Sequence, residues 1–136
     1  MITTKGRYAI RLILDIAEQN SDKPVTLDDI AARQEISKKY LESIVKILVK
    51  GKLVKGTSGK GGGYLLTRKP KEYNIYEILL LAEGSLAPVA CLEEDAEECT
   101  RCDKCKTLPM WKKYNAMIKD YFSKITIEDI LKGKKF

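Results

Sequence analysis

SKKYLESIVKILVKGKLVKGTSGKGGGYLL, residues 37–66, is the stretch that decides the fold. Its first half predicts an amphipathic helix from Lys38 to about Lys50, because apolar side chains recur at helical spacing and Ser37 is a suitable N-cap. Polar and basic side chains occupy the opposite face, which leaves that face free to meet another molecule. The inward positions are Leu41, Ile44, Val45 and Leu48.

The second half of the stretch predicts a two-stranded β-wing. Gly51 is expected to end the helix, residues 52–55 to form one strand, and residues 64–67 to return as its partner. The glycines of residues 59–63 allow a close approach of backbone to another molecule, and Lys60 stands at the tip. A glycine-rich loop can also hold a nucleotide phosphate, but this one lacks the Walker spacing and opens a strand rather than a helix.

The residues on either side complete a winged helix-turn-helix domain, which we assign to residues 1–84. Thr3 or Thr4 caps a first helix to about Gln19, and Thr26 with Asp29 forms a capping box before a short second helix. A short helix, a tight turn and a second helix with a basic outer face are typical of helix-turn-helix proteins. Asn74 and Glu77 form another capping box, before a helix that stops at Gly84.

The charge distribution points to double-stranded DNA as the partner. The chain has a formal net charge of +6, and residues 38–71 contain ten basic side chains and a single acidic one. Lysines supply attraction to phosphates, and the start of the third helix is expected to face base edges. The candidate DNA contacts are Lys38, Lys39, Tyr40, Glu42, Ser43, Lys46, Ser58, Lys60 and Gly61.

All four cysteines lie in one acidic segment, CLEEDAEECTRCDKC at residues 91–105, which we place in a separate loop of residues 85–108. The segment has six acidic side chains against two basic ones, so it can bury little apolar area. A bonded ligand or cross-links must therefore order it. Cys91, Cys99, Cys102 and Cys105 are the candidate metal ligands, and zinc, an iron-sulfur cluster and a disulfide pair all remain open on spacing alone.

The composition also limits the compartment and the chemistry. There is no membrane-length apolar run and no secretory signal at the N-terminus, so we expect a cytoplasmic protein that does not enter the membrane. In a reducing compartment, clustered cysteines favour metal ligation over structural disulfides. The chain has no histidine, the usual acid/base partner of a nucleophile, and we expect no enzyme activity.

Residues 109–136 predict a dimerisation helix and a C-terminal tail. Pro109 suits the first position of a helix that runs to about Lys124, and large apolar residues recur along it at alternating threes and fours. Such a seam can pack on its own domain, but we favour a homodimer that reads a palindromic operator. The expected interface residues are Trp111, Tyr114, Ile118, Tyr121, Phe122 and Ile125.

Several segments taken together resemble the Rrf2 family of winged-helix transcription regulators. They are residues 4–9 (TKGRYA), 36–42 (ISKKYLE), 61–66 (GGGYLL), Pro88-Val89, Trp111 and Ile125-Thr126. The resemblance implies a homodimer crossed by the long helix, a helix-turn-helix that reads A·T-rich or palindromic sites, and, in cysteine-bearing members, an iron-sulfur cluster that sets DNA affinity. It also implies that Cys91, Cys99 and Cys105 are cluster ligands.

The chain departs from the family pattern at several positions. Leu108 stands where cluster-binding members carry a histidine, and Arg7 and Tyr8 stand where other members use an aspartate. We therefore interpret the additional Cys102 as the fourth ligand. Ser58 replaces a wing arginine, so minor-groove contact is expected to pass to Lys60.

The cofactor expected from these patterns is an iron-sulfur cluster. The resemblance favours [2Fe-2S], whereas the two consecutive two-residue gaps between Cys99, Cys102 and Cys105 are typical of [4Fe-4S] ligation. We prefer [2Fe-2S], with zinc as the lesser alternative. The sequence thus predicts a DNA-binding regulator controlled by a cluster that senses iron-sulfur status, redox state or nitric oxide. The alternatives are a zinc-stabilised or thiol-disulfide-switched regulator and an iron-sulfur electron carrier.

Overall fold

The computed structural model describes residues 1–136 and contains six α-helices, one two-stranded sheet and three short 3-10 turns. This confirms the predicted mainly helical fold with a small β-wing. The helices and strands are α1 (Thr4–Gln19), α2 (Leu27–Gln34), α3 (Lys38–Lys50), β1 (Val54–Thr57), β2 (Gly63–Leu66), α4 (Ile75–Glu83), α5 (Leu108–Ser123) and α6 (Ile127–Leu131). The 3-10 turns are Pro70–Glu72, Ala90–Leu92 and Cys102–Lys104.

Five of the six helices begin after a residue whose side chain caps them, and α5 begins without such a cap. Ser37 accepts a hydrogen bond from the Tyr40 amide at the start of α3, and Thr3 caps α1 in the same way. Neither predicted capping box is complete, whereas Thr126 and Asp129 exchange both bonds at the start of α6. At α4 the Asn74 side chain caps the helix, but the Glu77 carboxylate is instead bound by Arg68, at 2.7 and 2.9 Å.

The core is built around α1, which packs against α2, α3, α4 and α6. The predicted inward residues of α3 are all buried, as are Leu12 and Ile13 of α1 and Ile78 of α4. The chain that follows α5 also enters this core. Ile127 is fully buried, and the Ile75 amide donates to the carbonyl of Ile125 at 2.9 Å. The C-terminal segment is therefore part of the same body as the winged helix.

The wing begins two residues later than predicted. Lys52 adopts a left-handed conformation with φ +59°, and the Leu53 amide still bonds back to Leu48 of α3, so extended pairing starts only at Val54. Gly51 ends α3 with an ordinary negative φ. Its missing side chain makes room for Leu81, because a Cβ there would lie 2.2 Å from the Leu81 side chain.

The wing is tied to the body from both sides. Val25, just before α2, pairs with Tyr64 of β2 through two backbone hydrogen bonds of 2.8 and 2.9 Å. On the other side, the buried Tyr73 hydroxyl donates to the Leu53 carbonyl at 2.6 Å and accepts from the Thr67 amide at 3.0 Å. The orientation of the wing relative to α3 is therefore fixed at its base.

No helix is long and apolar enough to cross a membrane.

Candidate DNA-binding surface and cysteine loop

The outer face of α3 presents an open, charged surface. Lys39, Glu42, Ser43 and Lys46 are all exposed. Lys39, Lys46 and Glu42 form no salt bridge within the chain. Two cations with no internal counter-ion are suited to bind phosphate, and Glu42 is free to meet a base edge.

Two of the predicted contacts are already engaged within the protein. Lys38 forms an ion pair with Asp28 of α2 at 3.0 Å, which offsets part of its attraction for phosphate. The Ser43 hydroxyl donates to the Tyr40 carbonyl at 2.7 Å, one turn earlier in α3. Ser43 can still accept a hydrogen bond from DNA through its oxygen.

Tyr40 lies at the edge of this surface and packs on α1. Its ring meets the Tyr8 ring edge-to-face with centroids 5.6 Å apart, and its hydroxyl is 3.1 Å from that of Thr4. It is only half-buried, so one side of the ring remains accessible from the outer face. Its position is therefore set by the first two turns of α1.

The tip of the wing is open to solvent. Ser58, Lys60 and Gly61 are exposed, and Gly61 has φ +77° with no atom within 4 Å of where a Cβ would stand. Glycine is thus required there by conformation and not by packing. Lys60 has no carboxylate partner, so its ammonium group is available to a phosphate.

The four cysteines are all free thiols, and all four line a single cavity of about 400 Å³ in front of α5. Leu108 and Lys112 of α5 complete its wall. Turns order the loop locally, since the Cys102 amide donates to the Cys99 carbonyl at 3.0 Å and the Cys105 amide to the Cys102 carbonyl at 3.3 Å.

The two half-buried thiols have different surroundings. Partial desolvation raises the pKa of the Cys102 thiol, and the neighbouring carboxylates of Glu98 and Asp103 raise it further. The Thr107 hydroxyl lies 3.4 Å from Cys105 Sγ and lowers the pKa of that thiol. The loop thus stabilises the thiol form at one site and the thiolate form at the other.

The cysteine loop matches a metal centre in donor chemistry but not in donor placement. Four thiols around one cavity are a complete donor set for an iron-sulfur cluster or for zinc. No three cysteine, aspartate or glutamate side chains converge as a metal ion requires. The loop would therefore have to close around any centre it holds.

The apolar residues of α5 divide between two faces. Trp111, Ile118 and Phe122 are half-buried against their own chain, and Ile125 lies beyond the end of α5 and is buried in the core. Ile125 was expected at a dimer interface, but the structure leaves only 8% of it exposed. The adjoining face carries Met110, Tyr114, Met117 and Tyr121, each half or more exposed.

Sequence reasoning missed a carboxylate that joins the two ends of the helix-turn-helix body. Glu83, the last residue of α4, accepts hydrogen bonds from the amides of Thr3 and Gly6 at 2.7 and 2.9 Å, and from the Thr3 hydroxyl at 2.9 Å. Burial opposes ionisation of Glu83, but these bonds outweigh it and lower the pKa of the carboxyl group. Since its partners Gly6 and Thr3 lie 77 and 80 positions away, no local pattern in the sequence marks it.

A family model described as "Iron-dependent Transcriptional regulator", Rrf2, matches residues 2–133. The chain belongs to the Rrf2 family. It is 34% identical over 134 residues to the HTH-type transcriptional regulator IscR of Pectobacterium atrosepticum, covering 98% of this chain and 80% of that protein. It is 35% identical over 131 residues to the protein rrf2 of Nitratidesulfovibrio vulgaris, covering 96% and 87%.

Solved Rrf2-type structures have the same fold. CymR, described as the global cysteine regulator of B. subtilis, superposes with a TM-score of 0.78 at 30% identity over 99% of this chain and 98% of its own. IscR of T. potens superposes with a TM-score of 0.75 at 30% identity over 99% and 88%. These relatives are transcription regulators and not enzymes, and the chain is a transcription regulator of the Rrf2 type.

Proposed function

We propose that this protein is a homodimeric DNA-binding regulator whose affinity for its operator is set by an iron-sulfur cluster held by Cys91, Cys99, Cys102 and Cys105. The observation that carries the proposal is that these four free thiols line one cavity at the start of α5. The chain contains no other cysteine and no histidine. A cluster bound here would supply a redox-active and chemically labile group.

The DNA-binding half of the proposal rests on charge and exposure. Lys39 and Lys46 on α3 and Lys60 on the wing attract phosphates, because none of them is neutralised within the chain. Glu42 faces outward in the first half of α3, where it can accept a hydrogen bond from a cytosine amino group or exclude other bases. The operator is expected to be a palindrome.

The cluster half rests on the surroundings of the thiols. The six carboxylates of residues 91–105 leave the loop with negative charge and little apolar packing, so in the absence of a centre it is held only by turns. Four thiolate ligands would tie the 3-10 turn at Cys102 to Cys91 at the other end of the loop. Since α5 begins at Leu108, ordering the loop also fixes the start of that helix.

The dimer rests on the exposed face of α5. None of the sixteen residues of α5 is buried in the monomer, and Tyr114 and Tyr121 are 50% and 52% exposed. A helix that exposes several large apolar side chains to water is typical of a surface that binds another protein. A second copy supplies one and places two reading heads on a two-fold operator.

The experiment is an anaerobic purification followed by iron, sulfide and zinc analysis, absorption spectroscopy and a mobility-shift assay at fixed salt. We expect visible absorption, near two irons per chain for the preferred [2Fe-2S] cluster, and different DNA affinities with and without the cluster. Each Cys→Ala variant should lose iron, Cys102→Ala included. Colourless, iron-free protein, or an operator affinity that cluster loss does not change, would contradict the proposal.

A thiol-disulfide switch is the second candidate, and the turn between Cys99 and Cys102 favours it. Their backbones are hydrogen-bonded at 3.0 Å, an arrangement that holds a C-x2-C pair close together. A solved relative with 25% identity, CymR of Staphylococcus aureus, is described in an oxidized form. The test oxidises metal-free protein mildly and measures its mass and its DNA affinity. A loss of two hydrogens by mass spectrometry, together with a change in DNA affinity, would favour this candidate over the cluster.

A further inference from the structure

The N-terminal residues lie between the cysteine loop and the DNA-reading end of α3. Met1 and Ile2 line one apolar groove together with Pro88, which precedes the first cysteine, and Trp111, which follows the last. Both flanks of the loop therefore line the same groove as the residues that lead into α1. A change in the loop that moves either flank reshapes this groove, which Ile2 lines two residues before α1 begins.

Glu83 fixes the next part of this connection. Residues 84–90 join it to Cys91, and its Oε1 accepts hydrogen bonds from the amides of Thr3 and Gly6. These amides are at the N-terminus of α1, where a helix binds negative charge most strongly. The approach allows no side chain at Gly6, because a Cβ there would lie 2.6 Å from Glu83 Oε1. The end of α4 and the start of α1 are thus held together as a unit.

The start of α1 in turn holds the reading end of α3. The Thr4 hydroxyl lies 3.1 Å from that of Tyr40, and the Tyr8 ring meets the Tyr40 ring at an interplanar angle of 78°. Tyr40 is in the first turn of α3, beside the exposed Glu42. α4 also packs directly on α3, and one of these contacts, between Leu81 and Gly51, lies at the end of α3 away from the reading residues.

We propose that Glu83 and Thr4 are positioning residues that transmit the state of the cysteine loop to the reading end of α3 within one protomer. The order of contacts is the loop flanks, Glu83, the start of α1, and Tyr40. This inference rests on the proposed function, since it concerns how loop state changes DNA affinity. Neither residue has to touch DNA or the cluster.

The first test measures the ratio of DNA dissociation constants between cluster-loaded and cluster-free protein. Glu83→Ala removes all the hydrogen bonds to Thr3 and Gly6, and Thr4→Val removes one hydroxyl at nearly constant shape. In each variant this ratio should be closer to one than in wild type, by about threefold or more. Both substitutions interrupt the same line of contacts. The change in the logarithm of this ratio should therefore be smaller in the double variant than the sum of the changes in the two single variants.

Asp129→Asn is the matched control. Asp129 is also a carboxylate that caps a helix start, through the Thr126 amide at 3.0 Å, but it lies on α6, outside this line of contacts. It should lower stability while it leaves the ratio unchanged. A ratio that falls equally in Asp129→Asn and Glu83→Ala would show a general effect of stability and overturn the inference.

A second readout does not depend on the cluster. In cluster-free protein, amide hydrogen exchange of residues 41–44 should be about threefold or more faster in Glu83→Ala than in wild type, and unchanged in Asp129→Asn. Unchanged exchange at those residues overturns the link from Glu83 to α3. If the wild-type affinity ratio is itself one, the proposed function fails, and this exchange measurement alone decides whether the link exists.

Discussion

Arg33 Nη2 lies 2.7 Å from Asp15 Oδ1, so the guanidinium of α2 neutralises a carboxylate that is completely buried in α1. Gln34 donates a further hydrogen bond to Asp15 Oδ2 at 2.9 Å. The bond to Asp15 also raises the pKa of Arg33 above its already high ordinary value. The angle between α1 and α2 is therefore set by a buried charge with a specific partner.

We expect Arg33→Met to lower the free energy of unfolding by about 3 kcal/mol, because it leaves the Asp15 carboxylate buried without its cation. Asp15→Asn should cost less, since Arg33 is 39% exposed and can be solvated when its partner is neutral. Urea unfolding followed by circular dichroism measures both. An equal loss in the two variants would contradict this asymmetry.

Tyr73→Phe removes the hydroxyl that bonds to Leu53, Thr67 and Arg68 at the base of the wing. We expect a loss of about 2 kcal/mol in the free energy of unfolding, because the Thr67 and Arg68 amides lose their acceptor and the Leu53 carbonyl keeps only the Thr67 hydroxyl, at 3.2 Å, as a side-chain donor. Hydrogen exchange should also become faster at residues 63–67. A stable variant with unchanged exchange there would show that the wing does not depend on this hydroxyl.

Gly63 and Gly61 form a matched pair for testing the wing. A Cβ on Gly63 would lie 2.6 Å from the Val25 carbonyl, and its φ is +152°, whereas Gly61 has φ +77° and open space. Gly61→Ala should therefore cost about 1 kcal/mol from backbone strain, and Gly63→Ala clearly more, because it also separates β2 from Val25. Thermal unfolding of both variants measures which one loses more stability. A larger loss in Gly61→Ala than in Gly63→Ala would contradict the prediction.

Lys39→Ala and Lys46→Ala should each weaken DNA binding and reduce the salt dependence of the binding constant by about one unit of slope. Lys38→Ala should have a smaller effect, because Asp28 already offsets its charge at 3.0 Å. Affinities measured between about 50 and 200 mM salt give the slopes. Lys39 and Lys46 lie on one face of α3, two turns apart, whereas Lys38 is turned toward Asp28 of α2. An effect at Lys38 as large as at the other two lysines would show that the ion pair with Asp28 opens on DNA.

We expect the free energy of unfolding to depend on pH through the Glu83 carboxyl group. Its folded pKa is lower than the ordinary value of 4.5, so its contribution is complete above that pH and is lost as the pH falls through the folded value. Glu83→Gln keeps the shape without the charge and should lose less stability than wild type between about pH 5 and pH 3. The same pH dependence in both proteins would show that Glu83 does not gain stability from its charged form.

Local patterns in the sequence predicted most of the helical framework. Ser37, Thr26 and Asn74 act as N-caps at the predicted positions, since capping depends on residues within one turn. The start of β1 was misplaced because a lysine, Lys52, takes the left-handed conformation usually given to glycine. A local pattern cannot show that Gly51 is needed instead for the approach of Leu81.

In the candidate site, too, the sequence predicted the features that depend on local spacing and missed those that depend on packing between helices. The exposed lysines of α3 follow from helical periodicity, whereas the attachment of Tyr40 to Thr4 and Tyr8 depends on how α1 packs. The position of Ile125 shows the limit of a periodic pattern. It continues the apolar spacing of α5, but α5 ends at Ser123 and the chain turns back into the core.

Trp111 is the single tryptophan of the chain, and it lies half-buried in the groove shared by the N-terminus and the downstream flank of the cysteine loop. Its indole therefore provides an intrinsic fluorophore where the cysteine loop borders the N-terminus. Emission wavelength and quenching can report any rearrangement of the loop in real time, without a label and at micromolar protein concentration.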